Sequence, residues 1–293
     1  MCMYTIFMAI IAVFVLANAA FCSDSVSYKH IRNATAKISY AGSVFLIDPF
    51  LAEKGTYPGF VGTPNSEKRI PLIDMAEPVE AVVRDVDAVI LTHTHLDHWD
   101  QAAQKILQKD IPFFVQNAGD ARTIREQGFT NVMVVGKNTP FEKVLISKTG
   151  GQHGPDELYS VPARAEFAGD AMGFVLQSEG CPVLYVMGDT TWHPYVDVAL
   201  EQYKPDIVVM NTGYAMVSGI EGSLIMGKDD VIHAYKTLPS KVKIIAVHMD
   251  AVNHTTVSSE EMRELVGKNK MEDRVFIPRE GEVLMLSAKE AVK

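Results

Sequence analysis

Basic charge is in short supply in this chain: 27 Lys and Arg face 36 Asp and Glu over 293 residues, a formal net charge of −9. Such a surface offers no basic patch to neutralise phosphates, which excludes nucleic acid as the expected partner and leaves a small molecule. Cysteine is scarcer still. Cys2, Cys22 and Cys181 give a disulfide framework little basis, and Cys181 reads as a small apolar filler before a strand. No linker divides the chain, and 47% hydrophobic against 22% charged residues argues against disorder. One large domain over residues 25–293 is therefore expected. A bilayer-spanning run is also lacking. Residues 4–16 are apolar apart from Thr5 but fall short of the ~20 residues a span requires, and Ala17-Asn18-Ala19 follows as a small-x-small cleavage pattern. Residues 1–20 read as a signal peptide, which implies export to the periplasm or beyond. Because Met1-Cys2-Met3 carries no Lys or Arg, an uncleaved leader anchoring the chain to a membrane is the alternative.

What the chain does have is Thr92-His93-Thr94-His95-Leu96-Asp97-His98-Trp99-Asp100, placed directly after the apolar run 88–91. Imidazole and carboxylate donors at the mouth of a predicted strand suit zinc, with manganese or iron as alternatives. In an extended segment His93 and His95 project to one side, while Asp97 and His98 turn toward a second point just beyond. One loop could then serve two ions.

Other strand ends repeat the theme. A predicted strand at 142–147 leads into Gly150-Gly151-Gln152-His153-Gly154. The run 183–187 ends in Gly188-Asp189-Thr190-Thr191-Trp192-His193, and 243–247 ends in His248-Met249-Asp250, with Asn253-His254 close behind. Four strand ends delivering His or Asp would meet on one rim of a fold. The rest reads as a hairpin over 37–47 turning at Ala41-Gly42, an irregular Gly- and Pro-rich loop over 53–78, and βαβ traffic. That traffic comprises helices at 100–107, capped by Asp100, and at 120–127, with strands at 112–115 and 131–135. His30 and His233 read as structural, the latter inside a helix over 229–237.

The motif His93-x-His95-x-Asp97-His98, with His153, Gly188-Asp189-Thr190 and His248, resembles the metallo-β-lactamase superfamily. Leu46-Ile47-Asp48-Pro49-Phe50 and the Gly-Asp-Thr turn are similar to its branch containing L-ascorbate-6-phosphate lactonase and N-acyl phosphatidylethanolamine phospholipase D. The resemblance implies an α/β fold, an αββα sandwich with its metal site at the edge of the two sheets. It implies two divalent ions, one held by His93, His95 and His153, the other by Asp97, His98 and His248, with Asp189 bridging. His248 is preferred to His254 because it ends a predicted strand. His254, Trp192 and His193 are expected at the substrate, and Trp99 either narrows the pocket or covers the metal loop.

The implied chemistry is hydrolysis by a hydroxide shared between the ions, with Asp97 and Asp189 as catalytic groups and Asp97 orienting the water and carrying its proton. Segments 53–74 and 213–227 would set the substrate, expected to be a small lactone, ester or amide. A phosphodiester or phospholipid is the alternative, in which case the membrane is met through a lipid substrate. From another class, a metal-binding module without turnover remains, although sequestration has no need of an open water position.

Overall fold

The computed structural model describes residues 25–287 apart from 163, 164, 166 and 167; the expected leader, residues 1–20, lies outside them. Strands β1 (Ser25–Arg32), β2 (Thr35–Tyr40) and β3 (Ser43–Ile47) form an antiparallel meander. Its second turn is the two-residue loop Ala41-Gly42, both at positive φ (52° and 88°), which matches the twist of the flanking strands. The chain then turns parallel. β4 (Ala88–Leu91), β5 (Phe113–Val115) and β6 (Val132–Val134) add to β3 in order. Helices α1 (Val79–Val83), α2 (Gln101–Ile106) and α3 (Ala118–Glu126) alternate with them.

The second sheet begins with β7 (Thr139–Phe141), β8 (Val144–Thr149) and β9 (Gly173–Gln177), with the short helix α4 (Asp156–Tyr159) between the last two. It continues through β10 (Leu184–Val186), β11 (Ile207–Asn211), β12 (Lys243–Val247) and β13 (Val275–Phe276), which run parallel. Helices α5 (Pro194–Tyr203), α6 (Lys228–Thr237) and α7 (Ser259–Lys268) connect these strands. Strand β14 (Val283–Ser287) returns to pair with β1, closing two sheets of seven strands each.

Three apolar layers fix the stacking. Phe45, Ile47, Ile90 and Phe114 of the first sheet meet Phe174, Leu176, Val186 and Val209 of the second. On the outer face of the first sheet, Val89, Leu91 and Phe113 pack against Ala103, Ala121 and Ile124 of the helices. On that of the second, Tyr185, Val208 and Ile244 pack against Val196, Val231 and Met262. This is the αββα sandwich, and the C-terminal ends of its parallel strands open on one rim, where α/β folds place ligands.

Four local readings change. The strand expected over 142–147 is a hairpin: Glu142 sits at φ 50°, and with Lys143 it makes the turn between β7 and β8. Helix α3 starts two residues earlier than expected because the Asn117 side chain caps it, accepting from the Asp120 amide. Trp99 faces away from the metal loop into the helix-side core, edge-on to Phe113 and Phe129, its indole N–H donating to Gln127 (2.7 Å). Cys181 packs beside the inter-sheet core and is disulfide-bonded, a pairing that leaves no local spacing signal.

His30 on β1 is buried with Nδ1 unpartnered among the described residues, and burial, helped by the charges of Arg263 and His248, pulls its pKa down to about 4. The folded value lies below the unfolded one of about 6.5, so the unfolded chain binds the extra proton between them. Stability from this group is complete above about pH 6.5 and is lost as pH falls toward 4, a loss on the order of 3 kcal/mol. Urea unfolding of the metal-free protein at pH 7.5 and 4.5 is expected to show a shallower loss for His30→Gln than for wild type. Equal losses would remove His30 from the account.

Candidate metal centre

Each donor arrives from a strand end, and the backbone bends sharply to deliver it. Asp189 follows Gly188 (φ 71°), where a Cβ would come within 2.3 Å of the Met172 carbonyl oxygen, so only glycine makes the turn. Asn33, Asp48 and His248 take left-handed backbone angles of 57°, 43° and 63° without being glycine. Such residues cost on the order of 1 kcal/mol each and concentrate where side chains must be aimed.

The structure brings His93, His95, Asp97, His98, His153, Asp189 and His248 together. The donor atoms of His93, His95 and His153 lie within 4.8 Å of one another, as do those of Asp97, His98 and His248, and those of His93, His98 and Asp189. His93 Nε2 is 3.0 Å from His95 Nδ1, His98 Nε2 is 3.1 Å from His248 Nε2, and His248 Nε2 is 3.3 Å from Asp97 Oδ2. A tetrahedral ion with bonds of about 2.0–2.1 Å needs donors roughly 3.4 Å apart, so the spacing fits a metal. Asp189 Oδ2 stands between the two sets, 3.5 Å from His153 Nε2 and 3.6 Å from His248 Nε2.

Electrostatics points the same way. Asp48, Asp97 and Asp189 crowd His98; burial is the largest influence and lowers its pKa, yet the three carboxylates outweigh burial and raise it well above 6.5. Burial raises Asp97 and Asp189, but His98 and His248 reverse this and hold both well below the usual carboxylate range. Burial and neighbouring imidazoles push His93 well below its ordinary value and His95 to about 4, leaving both as neutral donors. A buried anionic cluster beside unprotonated imidazoles is a site built for cations.

A further ring of partners aims these ligands. Asp48 Oδ1 accepts from the Thr92 amide (2.7 Å), and Oδ2 accepts from the Thr92 hydroxyl (2.7 Å) and lies 3.0 Å from His98 Nδ1. His153 Nδ1 is 3.1 Å from the Leu224 carbonyl oxygen. Both contacts put the proton on Nδ1 and turn Nε2 to the centre. Asn211 Nδ2 donates to Asp189 Oδ1 (2.6 Å), and Asn33 Nδ2 donates to the carbonyl (3.1 Å) and Oδ2 (3.3 Å) of Asp97. Sequence reasoning missed Asp48, Asn33 and Asn211 as site residues. Asp48 and Asn211 carry the signal used elsewhere, a polar residue closing an apolar strand; Asn33 carries none.

Beside the donors lies a cavity of about 60 Å³. His95, Asp97, His153, Asp189 and His254 line it together with Phe60, Thr63, Ala168, Val217 and Leu224. Both segments expected to shape the pocket contribute, Phe60 and Thr63 from 53–74 and Val217 and Leu224 from 213–227. His254 is buried, edge-on to Phe60 (4.7 Å between centroids), with Nδ1 unpartnered among the described residues, and burial lowers its pKa to about 4.

Trp192 and His193 are not among the residues that line the cavity. Helix α5 begins at Pro194, five residues after Asp189, with His193 as its N-cap, accepting from the Tyr195 amide. Trp192 packs edge-on to His233 (4.5 Å), and its N–H reaches Asp197 (3.0 Å).

The family described as "Beta-lactamase superfamily domain" matches residues 44–249. The UPF0173 protein YddR of Bacillus subtilis (strain 168) is 41% identical over 253 residues, which cover 86% of this chain and 96% of that protein. Among solved structures, a possible metal-dependent hydrolase from Veillonella parvula DSM 2008 is 44% identical with a TM-score of 0.87, covering 89% of this chain and 99% of its own. An isothiocyanate hydrolase from Delia radicum gut bacteria is 42% identical with a TM-score of 0.85, at the same coverage of 89% and 99%.

Proposed function

The chain belongs to the beta-lactamase superfamily and is one of its metal-dependent hydrolases, and from that premise we propose that it hydrolyses a small, neutral, apolar electrophile, with an isothiocyanate as the leading substrate. The carrying observation is the cavity lining, in which the donors His95, Asp97, His153 and Asp189 meet the apolar side chains of Phe60, Ala168, Val217 and Leu224, with Thr63 and His254 as the other polar groups. The apolar side chains favour the hydrocarbon group of a neutral substrate over the phosphodiester suggested by the likeness to the lactonase and phospholipase branch. The similarity to an isothiocyanate hydrolase over nearly the whole chain supports the same choice.

His93, His95 and His153 would hold one divalent ion and Asp97, His98 and His248 a second, with Asp189 facing both; zinc suits this donor set. Bound there, such ions acidify water and polarise the bond under attack. The chain's own groups do the rest. Asp97, held by Asn33, lines the cavity and orients the attacking water, receiving its proton as oxygen adds to the electrophilic carbon. For R–N=C=S, water supplies oxygen to carbon and two hydrogens to nitrogen, the C–N bond breaks, and the products are R–NH2 and O=C=S. Phe60, Val217 and Leu224 take the hydrocarbon group and exclude water around it. The neutral ring of His254, which lines the cavity, hydrogen-bonds the substrate's heteroatom.

The zinc-loaded protein is expected to consume benzyl isothiocyanate with release of benzylamine, to stop when metal is chelated, and to leave bis-p-nitrophenyl phosphate intact. Turnover of the phosphodiester without the isothiocyanate would overturn the reading. His254→Ala is expected to keep its metal and lose about 10–100-fold in kcat/KM, the worth of a hydrogen bond made in a buried site; His248→Ala is expected to lose metal. Metal loss in His254→Ala would make His254 a ligand instead.

A further inference from the structure

Behind the donor cluster, between the two sheets, lies a second and much smaller cavity of about 10 Å³. Tyr28, Asp48 and Asn211 line it among aliphatic side chains of both sheets, and every lining residue is buried. That volume is the room one water requires, and a buried water persists where two or more polar groups converge. Three do so here. The Tyr28 hydroxyl is buried with no hydrogen-bond partner among the described residues. An orphaned buried hydroxyl costs about 1–3 kcal/mol. Burial, reinforced by the charge of Asp48, pushes the Tyr28 pKa up, so the group remains a donor.

The other two polar groups each hold one of the centre's ligands: Asp48 faces His98 Nδ1 at 3.0 Å, and Asn211 donates to Asp189 at 2.6 Å. Asp48 sits at φ 43°, a left-handed angle that aims its carboxylate between Thr92 and His98.

We infer that Tyr28 is a positioning residue for the metal centre, its hydroxyl donating to a single buried water that joins it to Asp48 and Asn211. Asp48 is then gripped from behind by this water as well as from the side by Thr92, and His98 Nε2 is aimed accordingly. Partners bonded directly to a metal ligand, as Asp48 and Asn211 are here, tune metal affinity by about 10–100-fold, and Tyr28 acts one step behind them. The inference rests on the metal-hydrolase reading given above.

The test is zinc affinity, measured by competition with a chromophoric chelator. Tyr28→Phe keeps the ring and removes only the oxygen. It is expected to weaken zinc binding by roughly 3–10-fold, less than the loss of a ligand's direct partner, while melting of the metal-free protein barely moves. Asp48→Asn is expected to weaken binding by itself, and adding Tyr28→Phe to it to cost little more, because both act on the same ligand. Unchanged affinity in Tyr28→Phe, or losses that simply add in the double variant, would overturn the inference while leaving the metal site standing. A wild-type chain that takes up no zinc would overturn both.

Discussion

Asp189→Asn is expected to remain folded and to lose at least about a thousandfold in kcat/KM, together with half or more of the bound metal. The reason is position. Asp189 Oδ2 stands 3.1 Å from His98 Nε2, 3.5 Å from His153 Nε2 and 3.6 Å from His248 Nε2, so one oxygen serves both sets of donors. An amide keeps the shape and still offers Asn211 an oxygen to bond, but it removes the charge that two cations would share. Two readings separate a broken bridge from a broken fold. Metal content is expected to fall, and the rise in melting temperature expected of the wild-type protein on adding zinc, from binding to the native state alone, is expected to shrink in the variant. Full activity in Asp189→Asn would show that the two donor sets are not joined through this residue.

The donors were legible because each ends an apolar run: 88–91 before His93, 183–187 before Asp189, 243–247 before His248. Parallel strands must all point one way, so ligand types at their C-terminal ends converge whatever lies between them. The supporting residues were not legible for the complementary reason. Asp48 acts on His98 across 50 positions and Asn33 on Asp97 across 64, through hydrogen bonds between neighbouring strand ends that leave no periodic trace. Trp192 and His193 show the opposite case, in which closeness to Asp189 along the chain is not closeness to the cavity in space. A helix that begins at Pro194 turns them away. Segment 53–74 is marked by its Gly and Pro content and 213–227 by its Met, Tyr and Leu side chains, but which side chains face inward depends on what pins the loops. For 53–74 that is Asn253, whose Oδ1 accepts from the Phe60 amide (2.9 Å) and whose Nδ2 donates to the Thr63 hydroxyl (2.8 Å).

The other end of that loop hangs on Arg32, and its removal should be the most destabilising single change among those considered. Arg32 is fully buried, 0% exposed, at the end of β1. Its Nη2 donates to the carbonyls of Phe50 (2.5 Å) and Ala52 (2.9 Å), its Nη1 to that of Ile73 (3.3 Å), and its guanidinium lies 4.8 Å from the Phe50 ring centroid. Asp100, the last residue of the histidine motif, takes the complementary groups, its Oδ2 accepting from the amides of Leu51 (3.1 Å) and Ala52 (2.7 Å). The backbone just after Asp48 is thus clasped between a buried cation and a buried carboxylate. Burial lowers the Arg32 pKa to about 10, which leaves the side chain charged at neutral pH. Arg32→Met would strand two buried carbonyls and one partly buried one and leave Asp100 without its counter-charge, at a cost of about 3–5 kcal/mol. For a domain of this size that is a fall of roughly 10 °C in melting temperature. Arg32→Lys keeps the charge but not the fork that spans two carbonyls, and should fall between. Because Phe50 packs with Ile70 and Val252 beneath Phe60, the loop that presents Phe60 and Thr63 to the cavity loses its seat, and KM should rise more than kcat falls. Melting of Arg32→Met within about 2 °C of wild type would show that the loop is held by its apolar contacts and by Asn253 alone.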